Sequence, residues 1–223
     1  LKKTSVDLIL VPLVGLVASL LYCVVLSFAV HQITLGIGSV IEASFDIMPL
    51  PMCVIVAVLV GMALTAPISS VAICVAIGIG NVPLAAGAAL VGCCVQMVGF
   101  AVASYRENGV GGLVAQGLGT SMLQVSNIIK NPWILVPATL AGAIIGPLST
   151  CVFKMTNIAV GAGMGTSGLV GQIGTFTDMG FSFDTLWKVL LLQIFLPAVL
   201  TLIIDRIMRG MGLIKDGDYN LDL

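Results

Sequence analysis

Apolar residues run along this chain in long blocks, and polar residues are confined to short stretches between them. The hydrocarbon core of a bilayer takes roughly 20 apolar residues as a helix, and several blocks reach that length. Leu8 to Val30 carries no charge and follows Lys2 and Lys3, which predicts a first span. His31 to Asp46 is mixed, carries Glu42 and Asp46, and reads as an external or interfacial segment. Ile47 to Asn81 is uncharged but interrupted by Thr65-Ala66-Pro67-Ile68-Ser69-Ser70. Proline removes a backbone donor and disfavours helix in the residue before it. The run is therefore either a span near Met48 to Leu64 followed by a shorter helix from Pro67 to Gly80, or one long kinked helix. Val82 to Ser104 predicts the next span, rich in small residues that let helices approach closely in lipid. Trp133 to Phe153 and Trp187 to Ile204 predict two more, with Pro137 and Pro147 expected to bend the former.

Two stretches break this pattern. Val110 to Asn131 is too polar and too glycine-rich for a lipid-facing span and reads as a re-entrant or interfacial hairpin. Gly161 to Thr175 (GAGMGTSGLVGQIGT) lies in apolar surroundings yet is full of glycine and hydroxyl or amide side chains. It echoes Gly117 to Gln124 (GLGTSMLQ); both contain Gly-x-Gly-Thr-Ser. Irregular backbone at membrane depth is tolerated only where protein buries it or where it lines a cavity. The pattern as a whole predicts an all-α polytopic membrane helix bundle of about six spans with broken helices and re-entrant Gly-rich segments. Residues 1–223 form one transmembrane domain, and 216–223 form a polar, exposed tail. Placing Lys2, Lys3, Arg106, Lys130, Arg206, Arg209 and Lys215 on the cytoplasmic side leaves only Lys154 and Lys188 outside, so both ends face the cytoplasm. That arrangement needs an extra reversal before Arg106, which favours a real break at Pro67. The chain opens on Leu1 rather than Met, which implies residues upstream.

Composition agrees with the pattern. Hydrophobic residues make up 59% of the 223 and charged residues 9%, against roughly 25% in a soluble domain. A net charge of −1 implies no strong field and no nucleic-acid partner. The six cysteines lie in apolar runs without a Cys-x-x-Cys pair, and His31 is the single histidine, so no metal site is expected and the thiols read as packing residues. His31 is an interfacial histidine or, as the alternative, a proton relay. The glycine clusters lack the strand and the Gly-Lys-Ser/Thr of a phosphate loop, and no Ser/His/Asp set is available. No cofactor and no catalytic residue is expected. The remaining chemistry is neutral hydrogen bonding: Thr120, Ser121, Gln124, Gly163, Gly165, Thr166, Ser167 and Gln172 as candidates to bind a small polar solute, with Thr65, Ser69, Gln96 and Asn127 as further members. The competing reading is that these segments only let helices pack, with hydroxyls bonding their own backbone. For Gln96 the alternatives are a bond between helices and a donor lining a cavity.

The runs ALTAPISSVAIC (Ala63 to Cys74), VGCCVQMVGFAVASYRENGVGGLVAQGLGTSMLQ (Val91 to Gln124) and GAGMGTSGLVGQ (Gly161 to Gln172) resemble bacterial membrane proteins of the phosphotransferase-system EIIC-like family, in its perfringolysin O regulator-like branch. The resemblance implies a multi-pass protein of the bacterial inner membrane, a homodimer in lipid, and a subunit that binds and translocates a sugar in a phosphoenolpyruvate-dependent system with cytoplasmic phosphotransferase components. Sugar sites of that family use a glutamate in a re-entrant motif, and often a histidine; the re-entrant candidates here carry neither. The regulator-like branch leaves a second expectation, a membrane-embedded regulator or sensor without transport.

Overall fold

A computed structural model describes residues 47–221, together with 14–17, 19–20 and 43. The expected first span, His31, Glu42 and Asp46 therefore lie outside the described residues, apart from six positions of that span. Among the described residues all regular structure is helical. Three helical stretches among the described residues are long and apolar enough to cross a membrane: Pro83–Ala103, Pro132–Val152 and Phe183–Gly210. A shorter apolar helix covers Pro49–Thr65.

Helix α1 (Pro49–Thr65) starts on a proline, whose missing N–H is harmless in a first turn. It buries Cys53, Val56, Ala57, Val60, Gly61 and Leu64, a stripe at helical spacing, while Leu50, Ile55 and Leu59 point outward. It is apolar on every side, as a membrane helix must be. Ala66, held extended ahead of Pro67, ends it. After this genuine break Ser69 caps α2 (Ser70–Ala76), accepting from the Ala72 N–H at 3.2 Å. Gly78, in the left-handed region at φ 67°, ends α2.

Helix α3 (Pro83–Ala103) is the hub, buried over almost its whole length. Its small residues make this possible: a Cβ on Gly92 would overlap the Ala57 carbonyl of α1. Contacts run 57 to 92, 60 to 93 and 65 to 96, so α1 and α3 are parallel and α1 stops at mid-depth of α3. The segment between them must return to the end from which α1 came.

Helix α4 (Tyr105–Val114), kinked at Gly109, leads into a π-helical turn at Ala115–Gly119. Thr120 is extended, and α5 (Val125–Lys130) runs back. This is the expected hairpin. The stretch Pro132–Val152 forms a second full crossing, whose central part is α6 (Val136–Pro147). Pro147 is carried inside it, and the next turn widens to π geometry. Short α7 (Ala159–Ala162) goes inward, α8 (Val170–Met179) comes back, and α9 (Phe183–Val189) continues through a π turn into α10 (Leu196–Gly210).

The order of elements repeats. In the first unit α1 enters, breaks at mid-depth, returns as α2, and α3 crosses. In the second α7 enters, breaks, returns as α8, and α9–α10 crosses in the same direction as α3, with Thr201 beside Gly99 and Arg209 reaching the Ala103 carbonyl. Charge divides the two ends. Arg106, Arg209 and Asp216 meet at one, the arginine end. Lys154 and Lys188 belong to the opposite end, where the neighbouring Phe153 and Trp187 rings stack edge to face at 5.6 Å.

Candidate functional site

Three interruptions of helix meet at mid-depth of α3. Two come from the Lys154 end: the Ala66–Ser69 break and the Gly163–Leu169 break. They are joined by the Ser70 hydroxyl, which donates to the Gly163 carbonyl at 2.7 Å. A Cβ on Gly163 would lie 2.7 Å from the Val71 backbone, so only glycine permits this approach. Gly165 lies against Cys93 of α3 and sits at φ 57°, which adds a conformational reason for glycine. The third interruption is the tip of the α4–α5 hairpin, arriving from the arginine end. The Ser121 and Thr65 hydroxyls are 2.9 Å apart, and Thr166 donates to the Gly117 carbonyl at 2.5 Å.

A cavity of about 460 Å³ opens where the three meet, lined in part by Ser69, Ser70, Gly119, Thr120, Met164 and Ser167. The volume lies within the range of small-molecule sites, about 300–1,000 Å³. Among the described residues its lining carries no ionisable side chain. Three of the candidates from sequence (Ser69, Thr120 and Ser167) reach it. Thr65, Gln96, Ser121 and Thr166 lie behind the wall and bond one another or nearby elements; Gln96 donates to Thr139 at 3.1 Å and thus ties α3 to α6. Gly163 and Gly165 act through close backbone approach.

Gln124, Asn127 and Gln172 are not brought to this cavity. Gln124 and Asn127 are buried toward the arginine end and donate to the Tyr219 and Asn220 carbonyls at 3.1 and 2.8 Å. Gln172 lies in a buried amide cluster: its Nε2 donates to Gln193 Oε1 at 3.0 Å, Gln193 donates to Thr175, and Asn157 donates to the Gly171 carbonyl and Thr175. The Oε1 atom of Gln172 has no partner among the described residues. Ser70, Asn157 and Gln193 belong to these arrangements without having been chosen from sequence. Gln193 had a visible signal, an amide in the middle of an apolar span; Asn157 follows Lys154 and looks like a connector.

A larger cavity, about 720 Å³, lies at the arginine end between α3, α4 and α10, with Arg106, Arg206 and Arg209 at its rim. It is remote from the three breaks. Among the described residues no group of histidine, cysteine, aspartate and glutamate side chains could hold a metal ion. The hydroxyls of Ser69, Ser70, Thr120 and Ser167 share the lining with a larger apolar part from Leu64, Pro67, Ile68, Val71, Met122 and Met164, and this mid-depth meeting of broken elements is the candidate site. The family model described as "Phosphotransferase system, EIIC" matches residues 1–221. No curated protein and no solved structure matches the chain.

Proposed function

Since the chain belongs to the phosphotransferase-system EIIC family, we propose that it binds a small, uncharged, polyhydroxylated solute, a sugar above all, between the three broken segments and carries it across the bacterial inner membrane. The observation that carries this reading is the convergence of Ser69–Ser70, Gly119–Thr120 and Ser167 on one cavity free of charge. Transporters built from structural repeats bind substrate near the midplane, where helices are discontinuous and backbone groups are available. Here two such helices come from corresponding positions of two repeated units. On this reading the arginine end faces the cytoplasm, where phosphotransferase components would meet the solute, and two copies assemble in lipid.

One feature supports a second reading, a membrane-embedded sensor without flux. The glutamate that the sugar sites of related transporters use has no counterpart among the described residues of the cavity lining. Uptake of labelled solute into proteoliposomes separates the readings, because a sensor binds without net flux. For the site itself, titration of purified protein with hexoses and polyols is the test. Thr120→Val and Ser167→Ala each remove a hydroxyl worth about 0.5–1.5 kcal/mol of hydrogen bonding, so affinity should fall roughly two- to tenfold. Unchanged affinity in both variants, or no binding by any member of the panel, would overturn the assignment.

A further inference from the structure

The segment that follows α10 does not project into solvent as its composition suggests. Gly212, at φ 74°, turns the chain back, and Ile214 and Tyr219 are buried to 2% and 0% exposure. The segment lies across the α4–α5 hairpin, which grips it through side-chain amides. Asn108 donates to the Tyr219 carbonyl and accepts from the Leu221 N–H, both at 2.8 Å. Gln124 and Asn127 add the two bonds given above, and Asn131 donates to the Leu213 carbonyl at 3.1 Å and to Asp218 at 2.6 Å. Most of these bonds read main chain.

Tyr219 is the plug. Its hydroxyl donates to Asp205 at 2.9 Å, its ring meets Phe100 edge to face, and the Arg209 guanidinium sits 5.3 Å from the ring centre. Arg209 in turn holds Asp205 at 2.8 Å, Glu107 at 3.0 Å and Asp216 at 2.8 Å. The second oxygen of Glu107 is buried and has no partner among the described residues. Charged groups on α4, α10 and the segment itself thus converge on one clasp.

Apart from this segment, the hairpin is held at its base by the Arg209–Glu107 pair and near its tip by single polar contacts, Ser121 with Thr65, Thr166 on the Gly117 carbonyl and Gln116 on Ser104. Within α4 only Gly112 is buried, and within α5 only Asn127. Val110, Val114, Leu118 and Ile129 are exposed. The seam between hairpin and segment contains a cavity of about 190 Å³ lined by Asn127, Lys130, Asn131, Gly217, Asp218 and Asn220. A polar seam with room for water separates more readily than packed apolar surface.

We infer that Leu213–Leu221 is a strap that locks the α4–α5 hairpin over the arginine-end side of the three-break cavity, and that release of the strap is the step that frees the hairpin to open that side. The inference rests on the proposed function only for what passes the opened side.

The test is hydrogen–deuterium exchange on the full chain in lipid nanodiscs without solute. A failure to bind sugar would therefore leave its outcome untouched, and the reverse also holds. Tyr219→Phe removes the bond to Asp205 but keeps the ring; Asn108→Asp keeps the acceptor for Leu221 and loses the donor to Tyr219. A hydrogen bond to a charged partner contributes on the order of a tenfold change in an opening equilibrium. Tyr219→Phe should therefore raise exchange across 115–130 roughly tenfold, and Asn108→Asp should raise it by less, with α3 amides unchanged in both. Wild-type exchange in the hairpin of both variants would overturn the strap. So would acceleration spread equally into α3, because Tyr219 would then be an ordinary core residue.

Discussion

The broken elements that enter from the Lys154 end and the hairpin that enters from the arginine end do the same geometric job by different physics. Each brings irregular backbone to mid-depth of α3. The former are held by backbone against backbone, through Gly92 on Ala57, Gly163 on Val71 and Gly165 on Cys93. The hairpin is held by Asn108, Gln124, Asn127 and Asn131, by the Arg209 clasp, and at its tip by the hydrogen bonds of Ser121 with Thr65 and of Thr166 to the Gly117 carbonyl. Close-packed contact leaves no intermediate distance that keeps its energy, because dispersion falls away within an ångström. Amide and ion-pair contacts can be exchanged for water at the membrane surface. One side of the cavity is therefore built as a fixed wall and the other as a separable lid.

Four changes would break or sharpen that contrast. The largest effect is expected from Arg209→Met, which leaves Glu107 and Asp205 buried without their cation. Breaking a buried pair in this way costs about 3–5 kcal/mol. The loss should appear as early unfolding of 105–130 in thermal denaturation followed by proteolysis, with the Lys154-end elements unaffected at that stage. Gly163→Ala comes next. The added Cβ would meet the Val71 backbone, and overpacking costs about 1–3 kcal/mol. This variant should lower the global melting temperature without a separate hairpin transition; an early hairpin transition here would blur the distinction between wall and lid.

Ser70→Ala removes the bond that joins the two fixed breaks, for about 1 kcal/mol, and a small cooperative fall in melting temperature should result. The smallest effect concerns pH. Burial, and then the neighbouring Asp205 carboxylate, push the Tyr219 phenol above its ordinary value of 10.0, with Arg209 opposing. A phenol raised in the folded state contributes stability that is whole below the unfolded value and is lost as pH climbs from there toward the folded one. Hairpin protection should therefore hold up to about pH 10 and decline above it, and Tyr219→Phe should abolish that decline.

Much of this architecture could be read from residue order. Apolar runs of the right length announced α3, the Pro132–Val152 crossing and the Phe183–Gly210 crossing, because lipid enforces composition. Pro67 with its flanking hydroxyls announced the first break, and Gly-x-Gly-Thr-Ser announced the other two. The pairing of breaks was less legible. The Gly117 and Gly161 stretches echo in sequence, yet the structural counterpart of the Gly163–Leu169 break is Ala66–Ser69, which enters from the same end. The echo marks neither equivalent positions nor a shared packing need: Gly163 and Gly165 permit close backbone approach, whereas a Cβ on Gly117 would make only ordinary contact and one on Gly119 none. Gln124 and Asn127 looked like solute ligands because an amide at depth demands a partner. Their partners lie more than 90 residues away, on a polar segment that looked exposed. Bonds to main chain leave no mark in the identities of the residues that accept them. The same stretch, expected to be an exposed tail over 216–223, buries Tyr219 and, just before it, Ile214.

The central claim is that the three breaks form one solute site. Its most direct test is an amide-exchange footprint of the full chain with a saturating hexose or polyol that binds in the titration. The account predicts simultaneous protection at Ser69–Val71, Gly119–Thr120 and Ser167–Leu169. Protection confined to one of these, or located instead at the Arg106–Arg206 cavity of the arginine end, would contradict it.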